Sequence, residues 1–492
     1  MMKKDPGRHR NILRMIARRA MLERGLLPDY SPEALAELDA IHAAPTHGEN
    51  PVRDLRHRLW CSIDNDDSRD LDQLTVAETL PTGDVKIYVA IADVDALVKR
   101  GTAIDDHARH NTTSIYTAGE IFPMLPEKLS TDFTSLNYEE ERLSIVVEIV
   151  IKADGSLQRS EVYRAMVLNR AKLAYNSIAA WLDGRSEEPE AVAAVDGLAE
   201  NLRIQDKTAQ TMKAFRHDHG ALELATIESR PIFEEDYLID LVSEKKNRAK
   251  DIIEDFMIAA NGVTARYLDS KMFPSLRRVV HIPKRWNRIV EIAAEAGFML
   301  PPVPQPEALN KFLLKQKNTD PLGFPDLSLS IIKLLGPGQY IAEFPGEAYE
   351  GHFGLAVKDY THSTAPNRRY PDLITQRLLK AAIAGKPVPY EKDELSSLAR
   401  HCTEEEDAVK KVERRVEKSA AALLLESKMG EKFDGIVTGA APKGTWVRLF
   451  HPPIEGRLIQ GFKGADVGQR MRVQLVHTDV EQGFIDFKRV RR

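Results

Sequence analysis

Ser62-Ile63-Asp64-Asn65-Asp66-Asp67-Ser68-Arg69-Asp70-Leu71-Asp72-Gln73 places five carboxylates within nine residues, Asp64 to Asp72. Apolar runs flank it, Leu59-Trp60-Cys61 before and Val85 to Asp93 after. A solvated acidic loop is one reading. Such loops ordinarily lie between polar segments, whereas this one joins two strand-like ones. Dense carboxylates at a strand end also supply the hard oxygen donors that Mg²⁺ takes in an octahedral shell. Spacing alone leaves both readings open.

Outward from this stretch, 52–165 has strand character. Val85 to Ala92 is a near-continuous apolar strand, and Leu143 to Ile151 is another, closed by the turn Ala153-Asp154-Gly155. Between them, Pro123 and Pro126 bracket Met124-Leu125 and forbid ordinary helix or central strand. A rigid loop is expected there, carrying Tyr116 ahead of it.

Residues 1–50 read as two helices. Asn11 to Gly25 spaces Ile12, Leu13, Ile16, Met21 and Leu22 helically, with arginines between them. Ser31-Pro32-Glu33-Ala34 is a helix start with Ser as N-cap, running to about Ala43. The pair is expected either as a helix-turn-helix-like module that touches nucleic acid or as a helical hairpin packed on the body. Ala44 to Pro51 reads as a linker. Between 165 and 300, helices are expected over Ala171–Gly184, Glu190–His217 and Tyr237–Lys271. Residues 300–350 read as loop-rich, and Glu391–Met429 as a long amphipathic helix ending at Gly430. His217 and His219 read as a polar turn, since no Cys or third His accompanies them.

Beyond 430 short strands alternate with glycine turns: 433–437, 444–449, 455–459, 472–476 and 483–487. Five such strands fit a small OB-fold barrel. Lys443, Trp446 and Phe450 are its candidate RNA contacts, as stacking aromatics beside a charged groove. The tail Lys488 to Arg492 adds salt-sensitive phosphate affinity.

Composition bounds the class. The 492 residues are 43% hydrophobic and 29% charged, as in globular proteins, and suffice for several domains. No apolar run is long enough for a membrane span. The basic N-terminus lacks the apolar stretch of a secretory signal. Cys61 and Cys402 form no metal-type spacing, so a cytoplasmic setting is expected. The net charge of −5 divides into +6 over 1–24, +4 over 430–492 and −15 between. Basic ends around an acidic body suggest contacts to a polyanion, with a centre that needs metal to tolerate one.

Several blocks together carry a resemblance. The acidic stretch is followed by Ile91-Ala92-Asp93, Pro123-Met124-Leu125-Pro126 with Leu129-Ser130, and Lys172-Leu173-Ala174-Tyr175. Glu254 to Asn261, His352-Phe353-Gly354-Leu355, Tyr360 and Thr364 to Asp372 come after them. In this order they closely resemble the catalytic domain of the RNase II family, whose RNB fold is shared with RNase R and the eukaryotic exosome nuclease. The resemblance spans roughly 50–425. It implies an α+β multidomain chain: an N-terminal helical module (1–50), an RNB exoribonuclease domain (51–429) and an RNA-binding OB-fold barrel (430–492).

The resemblance also implies a processive 3′-to-5′ exoribonuclease. It would hydrolyse single-stranded RNA with a free 3′ end to nucleoside 5′-monophosphates and a short end oligonucleotide. Phosphodiester hydrolysis needs an activated water and charge neutralisation, which divalent metals about 3.5–4 Å apart supply. Mg²⁺, or Mn²⁺ in its place, is the expected cofactor. Of four family carboxylate positions, three fall on Asp64, Asp70 and Asp72, as catalytic and metal residues. The fourth falls on Gln73, whose neutral carbonyl is the poorer ligand. Arg368 falls where the family contacts the scissile phosphate, a task suited to a planar fork. Tyr116 and Tyr175 fall at aromatic RNA contacts, and Glu254 and Glu413 at acidic positions along the channel.

Three further departures are Asn367, Ser363 and Leu224, the last standing where an aromatic clamp is usual. The family's bacterial members carry two cold-shock-type barrels before the catalytic domain. Here helices stand in that place, and Arg14, Arg18 and Arg19 are expected to take over part of the RNA funnel. No obligate protein partner and no membrane association are expected. A catalytically silent RNA-binding protein is the runner-up. A DNA-directed regulator built on the N-terminal helices has no support from the catalytic blocks.

Overall fold

The computed structural model describes residues 8–46, 51–225, 228–244, 246–347, 351–441 and 443–490. The extreme N-terminus, the end of the 44–51 linker and the terminal Arg491-Arg492 lie outside the described residues.

The chain begins with α1 (Arg8–Leu22) and α2 (Pro32–Ala40). Ser31 Oγ accepts the N–H of Ala34 at 3.2 Å and Pro32 starts the helix, as the sequence predicts. Four strands follow: β1 (Arg53–Asp54), β2 (Cys61–Asp64), β3 (Gln73–Thr79) and β4 (Val85–Ala92). Next come α3 (Ala103–Asn111), the small hairpin β5 (Ile115–Tyr116) and β6 (Ile121–Phe122), and a π-helical stretch over Lys128–Phe133. Then β7 (Glu141–Ile151), β8 (Leu157–Leu168) and β9 (Ala171–Ala174) complete a seven-stranded mixed sheet ordered β1-β8-β7-β4-β3-β2-β9. Consecutive residues Ile87 to Ala92 are all buried, so both faces of the central strand are covered, which is why it reads as an unbroken apolar run.

The covering elements are α4 (Tyr175–Leu182), α5 (Glu190–Ala193), α6 (Leu198–Asp218), the hairpin β10 (Glu228–Glu234) and β11 (Tyr237–Glu244), and α7 (Arg248–Ser270). α6 packs on β3, while α7 crosses β2, β4, β7 and β8. A subdomain follows: β12 (Ser275–Val279), α8 (Trp286–Glu295), α9 (Pro306–Thr319), α10 (Phe324–Leu335) and β13 (Gln339–Glu343). α11 (Tyr370–Ile383) and the long α12 (Lys392–Glu426) lead to a closed barrel of β14 (Lys432–Ala441), β15 (Gly444–Leu449), β16 (Glu455–Gln460), β17 (Arg470–Asp479) and β18 (Phe484–Arg489). The five barrel strands stand where the glycine-punctuated pattern predicts them.

Several expectations are corrected. Residues 171–174 form strand β9, paired in parallel with β2, and the helix starts only at Tyr175. Residues 237–244 are strand β11, not helix, because 228–234 lies antiparallel beside them and Leu238 and Leu241 turn into the core. The helix over 190–217 is broken by Gly197 at φ +79°. Residues 300–350 hold two helices, α9 and α10, whose Leu309, Phe312, Phe324 and Ile331 build their own small core. α1 packs on α12 and β11, and α2 on α3, rather than on one another. His217 closes α6 with Nδ1 2.8 Å from Ala221 O, as a polar turn.

The arginines of α1 are engaged. Arg10 Nε meets Asp236 Oδ1 at 2.8 Å and Arg14 meets Glu120 at 3.1 Å. Arg18 pairs with Asp29, and Arg19 with Glu481 at the edge of the barrel. These pairs fasten α1 to its surroundings, so Arg14, Arg18 and Arg19 do not form an open phosphate-binding face.

A buried charge network fixes α11. Asp93, just after β4, receives Arg164 Nη2 and Lys380 Nζ, each at 2.7 Å. Arg377 bonds Asp95 at 3.1 Å and Asp105 at 2.7 Å. Burial pushes the Asp93 carboxyl up, and the charges of Lys380 and Arg164 outweigh it, holding it below its ordinary value. The turn carrying Arg368, immediately before α11, thereby gains a fixed base.

Candidate active site

β2 ends at Asp64 and β3 begins at Gln73, so the acidic stretch is the connection between two paired strands. Three outside groups hold it. Leu71 donates its N–H to Ser135 Oγ at 2.9 Å and accepts the N–H of Leu136 at 2.9 Å. Lys172 on β9 donates to Ser68 O at 2.6 Å. The sequence reading missed Ser135, which carries no signal of its own.

Within this frame the carboxylates converge. Ser68 Oγ lies 3.0 Å from Asp64 Oδ2 and 3.5 Å from Asp70 Oδ1. Asp72 is 1% exposed. Its Oδ1 accepts the main-chain N–H of Asn367 at 3.0 Å, and its Oδ2 accepts Arg368 Nε at 3.1 Å. Burial pushes the Asp72 carboxyl up to about 7; Arg368 pulls it down and Asp70 adds to the rise. Asp64 is raised too, first by burial. Carboxylates buried together and raised in this way want a cation.

Arg368 organises the surroundings. Its side chain is 43% exposed and its charge acts on Asp64, Tyr116 and Tyr175. Asn367 is fully buried: its Oδ1 accepts Thr134 Oγ1 at 2.5 Å, while Nδ2 has no hydrogen-bond partner among the described residues. Ser363, the neighbouring departure, bonds Asn261 through both N–H and Oγ, at 2.9 and 2.8 Å. These polar residues thus replace apolar packing with hydrogen bonds to the loop at 134 and to α7.

A cleft of about 1080 Å³ opens beside Asp70. Tyr116 stands in it, donating its hydroxyl to Asp70 Oδ2 at 3.3 Å and its N–H to Glu413 Oε1 at 3.0 Å. Burial and the Asp70 charge raise the Tyr116 phenol. Tyr175 opens α4, its phenol raised by burial and then by Asp64. Glu254 on α7 pairs with Lys246 Nζ at 2.6 Å and does not line this cleft. Lys443 is exposed on the β14–β15 hairpin, and Trp446 lies against Gly439 and Gly444 there. No described barrel residue lines the cleft, so Lys443 and Trp446 stand apart from it. Leu224 packs beside the α8–α10 core instead of presenting a ring.

Gln73 is 8% exposed, its backbone paired with Ile91, and its amide bonds no described residue. Among the described residues no three His, Cys, Asp or Glu side chains close around a metal position. The donor set nevertheless fits a hard divalent ion, because Mg²⁺ keeps several waters and is commonly held by one or two carboxylates plus substrate phosphate.

The comparisons with known proteins agree with this geometry. The RNB domain matches residues 52–385, and the RNase II-type exonuclease C-terminal S1 domain matches residues 431–490. Ribonuclease R of Aquifex aeolicus (strain VF5) is 31% identical over 437 residues, covering 87% of this chain and 61% of that protein. The chain thus spans about three fifths of that relative's length. Mycoplasma genitalium RNase R in complex with ribose methylated single-stranded RNA aligns with a TM-score of 0.87 at 23% identity, over 98% of this chain and 78% of that one. Yeast Ssd1, a pseudonuclease, aligns with a TM-score of 0.71 at 16% identity, over 91% of this chain and 55% of that one. At these identities the two structures speak for the fold alone. With its larger match spanning more than half of its residues, the chain belongs to the RNB domain family and ends in an RNase II-type C-terminal S1 domain.

Proposed function

We propose that the chain is a 3′-to-5′ exoribonuclease acting on single-stranded RNA and releasing nucleoside 5′-monophosphates by attack of water. The observation that carries this reading is the meeting of Asp64, Asp70 and Asp72 with Arg368 beside a cleft that holds Tyr116. Arg368 spends only Nε on Asp72, and its half-exposed fork is left to take the scissile phosphate. Tyr116 offers a ring for a terminal base, a contact that tolerates any sequence. Asp72 fixes Arg368, and the N–H of Asn367 fixes Asp72. Asp64, Asp70 and Asp72, with the Gln73 carbonyl, would hold Mg²⁺, or Mn²⁺ in its place. Such an ion lowers the pKa of bound water and neutralises phosphate charge. The cleft is lined by six carboxylates and three arginines, a balance that favours cations alongside a polyanion.

In this reading residues 51–429 perform the chemistry, the barrel at 430–492 adds RNA contacts through Lys443 and Trp446, and 1–50 braces the cleft. Tyr175 and Glu254 approach the RNA from α4 and α7. Both cysteines are buried and unpaired, which suits a reducing cytoplasm.

A second reading, an RNA-binding protein without catalysis, is favoured by one feature: Gln73 stands in place of a carboxylate. Incubating a 5′-labelled oligoribonucleotide with the chain and Mg²⁺ decides between them. Laddering to a short product, lost in Asp72→Asn, is expected. Intact RNA that remains bound to the native chain would establish the silent reading instead.

A further inference from the structure

The hairpin β10–β11 forms the wall of the cleft facing the acidic loop. It is firmly rooted. Leu238 and Leu241 are 4% and 3% exposed within the core shared by α12 and the barrel. Its turn is tied to α1 through Arg10 N–H to Asp236 O at 3.3 Å and Leu238 N–H to His9 Nδ1 at 3.2 Å. From this wall Arg230 reaches across to the loop, and Nη2 meets Asp67 Oδ2 at 3.1 Å. The two side chains are 41% and 70% exposed.

The three cleft arginines differ. Arg10 is committed, with Asp236 on its Nε and Phe233 4.3 Å beneath its guanidinium carbon. Arg69 is 68% exposed and 4.0 Å from Glu127, at the limit of an ion pair. Arg230 alone joins a fixed wall to the acidic loop, by a single one-point contact on a fork built for two. An exposed pair of this kind contributes little stability. A phosphate offers the same oxygen geometry with more acceptors.

We propose that Arg230 is a backbone-phosphate ligand for single-stranded RNA in this cleft, and that Asp67 is its resident competitor, displaced when RNA enters. This rests on the RNA-binding reading above. Asp67 adjoins Ser68, whose hydroxyl lies between Asp64 and Asp70, so a phosphate on Arg230 sits on the approach to the carboxylates. The same exchange frees the acidic loop from the hairpin as RNA arrives.

The test is fluorescence anisotropy of a labelled single-stranded oligoribonucleotide with the full chain in EDTA, which stops hydrolysis, across a range of salt. Arg230→Ala is expected to weaken binding roughly tenfold and to flatten the log–log salt slope by about 0.7, the value of one phosphate contact on a single strand. Arg230→Lys, which keeps the charge and loses the fork, should keep the slope and lose part of the affinity. Asp67→Asn is expected to tighten binding roughly threefold, and the gain should vanish in the Arg230→Ala background. Unchanged affinity and slope in Arg230→Ala, in a native chain that binds RNA, overturns the proposal alone. A gain from Asp67→Asn that persists without Arg230 shows general repulsion and overturns the competitor role. A native chain that does not bind RNA overturns both this proposal and the reading beneath it.

Discussion

Arg368 Nε and Asp72 Oδ2 lie 3.1 Å apart and join the first turn before α11 to the residue preceding β3. One partner is 1% exposed and the other 43%, so the bond holds a buried carboxylate with a guanidinium that still faces solvent. Arg368→Ala leaves Asp72 with one main-chain donor and removes the proposed phosphate ligand. Hydrolysis is expected to fall roughly 10²–10³-fold, the usual cost of losing one transition-state donor. Arg368→Lys should recover little, because a point charge cannot bond Asp72 and a phosphate in the same plane. Single-turnover rates on a short oligoribonucleotide check both; a lysine variant near native rate would show that charge alone suffices.

α1 reaches the site through a glycine. A Cβ on Gly119 would lie 2.5 Å from the backbone nitrogen of Arg14 and 2.7 Å from the carbonyl carbon of Leu13. The loop of the β5–β6 hairpin therefore touches the α1 backbone directly, and that hairpin carries Tyr116. Gly119→Ala is expected to destabilise the chain by roughly 1–3 kcal/mol through overpacking and to speed hydrogen exchange in α1. If α1 is a brace for Tyr116, the same variant alters the length of the shortest RNA product. Native-like exchange in α1 would show that helix and loop separate without consequence.

Much of this architecture is legible in the sequence where local pattern and tertiary environment agree. Val85 to Ala92 is read as a strand with the bounds it has, because burial on both faces leaves an unbroken apolar run. The barrel is legible because its turns need glycine at positive φ, as at Gly461, Gly468 and Gly483. Tyr237 to Glu244 is misread because Leu238 and Leu241, three apart, suit a helix face as well as a strand. Only the partner strand at 228–234 decides, and pattern does not reveal it. In the site, Asp64, Asp70, Asp72 and Arg368 are legible from motif and order. Ser135, which holds Leu71 from 64 positions away, and Arg230, which meets Asp67 from 163 away, are not, because nothing in their own neighbourhoods marks them. The arginines of α1 show the reverse error: a basic helix suggests nucleic acid, yet each of four arginines has found a carboxylate.

His107 gives the fold a pH dependence of known sign. Its ring is 6% exposed on α3 and lies 4.2 Å from that of Tyr30. Burial lowers its pKa to about 4, with His110 adding to the effect. In the unfolded chain an ordinary histidine titrates near 6.5, so below that pH the unfolded state takes up a proton that the folded state refuses. The stability contributed by neutral His107 is complete above about pH 6.5 and is lost as pH falls towards 4. The loss amounts to roughly 3 kcal/mol across that window. Urea unfolding of the native chain and His107→Gln at matched pH isolates it. The native chain should lose more stability on acidification than the variant, and parallel curves would show that His107 protonates freely in the fold.

Gln73 decides how much of the metal site survives. It begins β3 beside Asp72, its amide bonds no described residue, and two of the three nearby carboxylates are raised by burial. Gln73→Asp adds a fourth carboxylate to a site that already repels negative charge. In EDTA the variant is expected to be less stable than the native chain by about 1–3 kcal/mol, the cost of a buried group without a partner. Mg²⁺ should reverse that order, because the added oxygens stabilise only the metal-bound fold. The Mg²⁺ concentration for half-maximal stabilisation is expected to fall roughly tenfold, or about 1.4 kcal/mol of binding free energy. Thermal melting over a Mg²⁺ titration reads both effects without depending on hydrolysis. An unchanged midpoint concentration, with the EDTA penalty still present, would place Gln73 beside the ion's shell rather than in it, and would leave Asp64, Asp70 and Asp72 as the complete set of protein ligands.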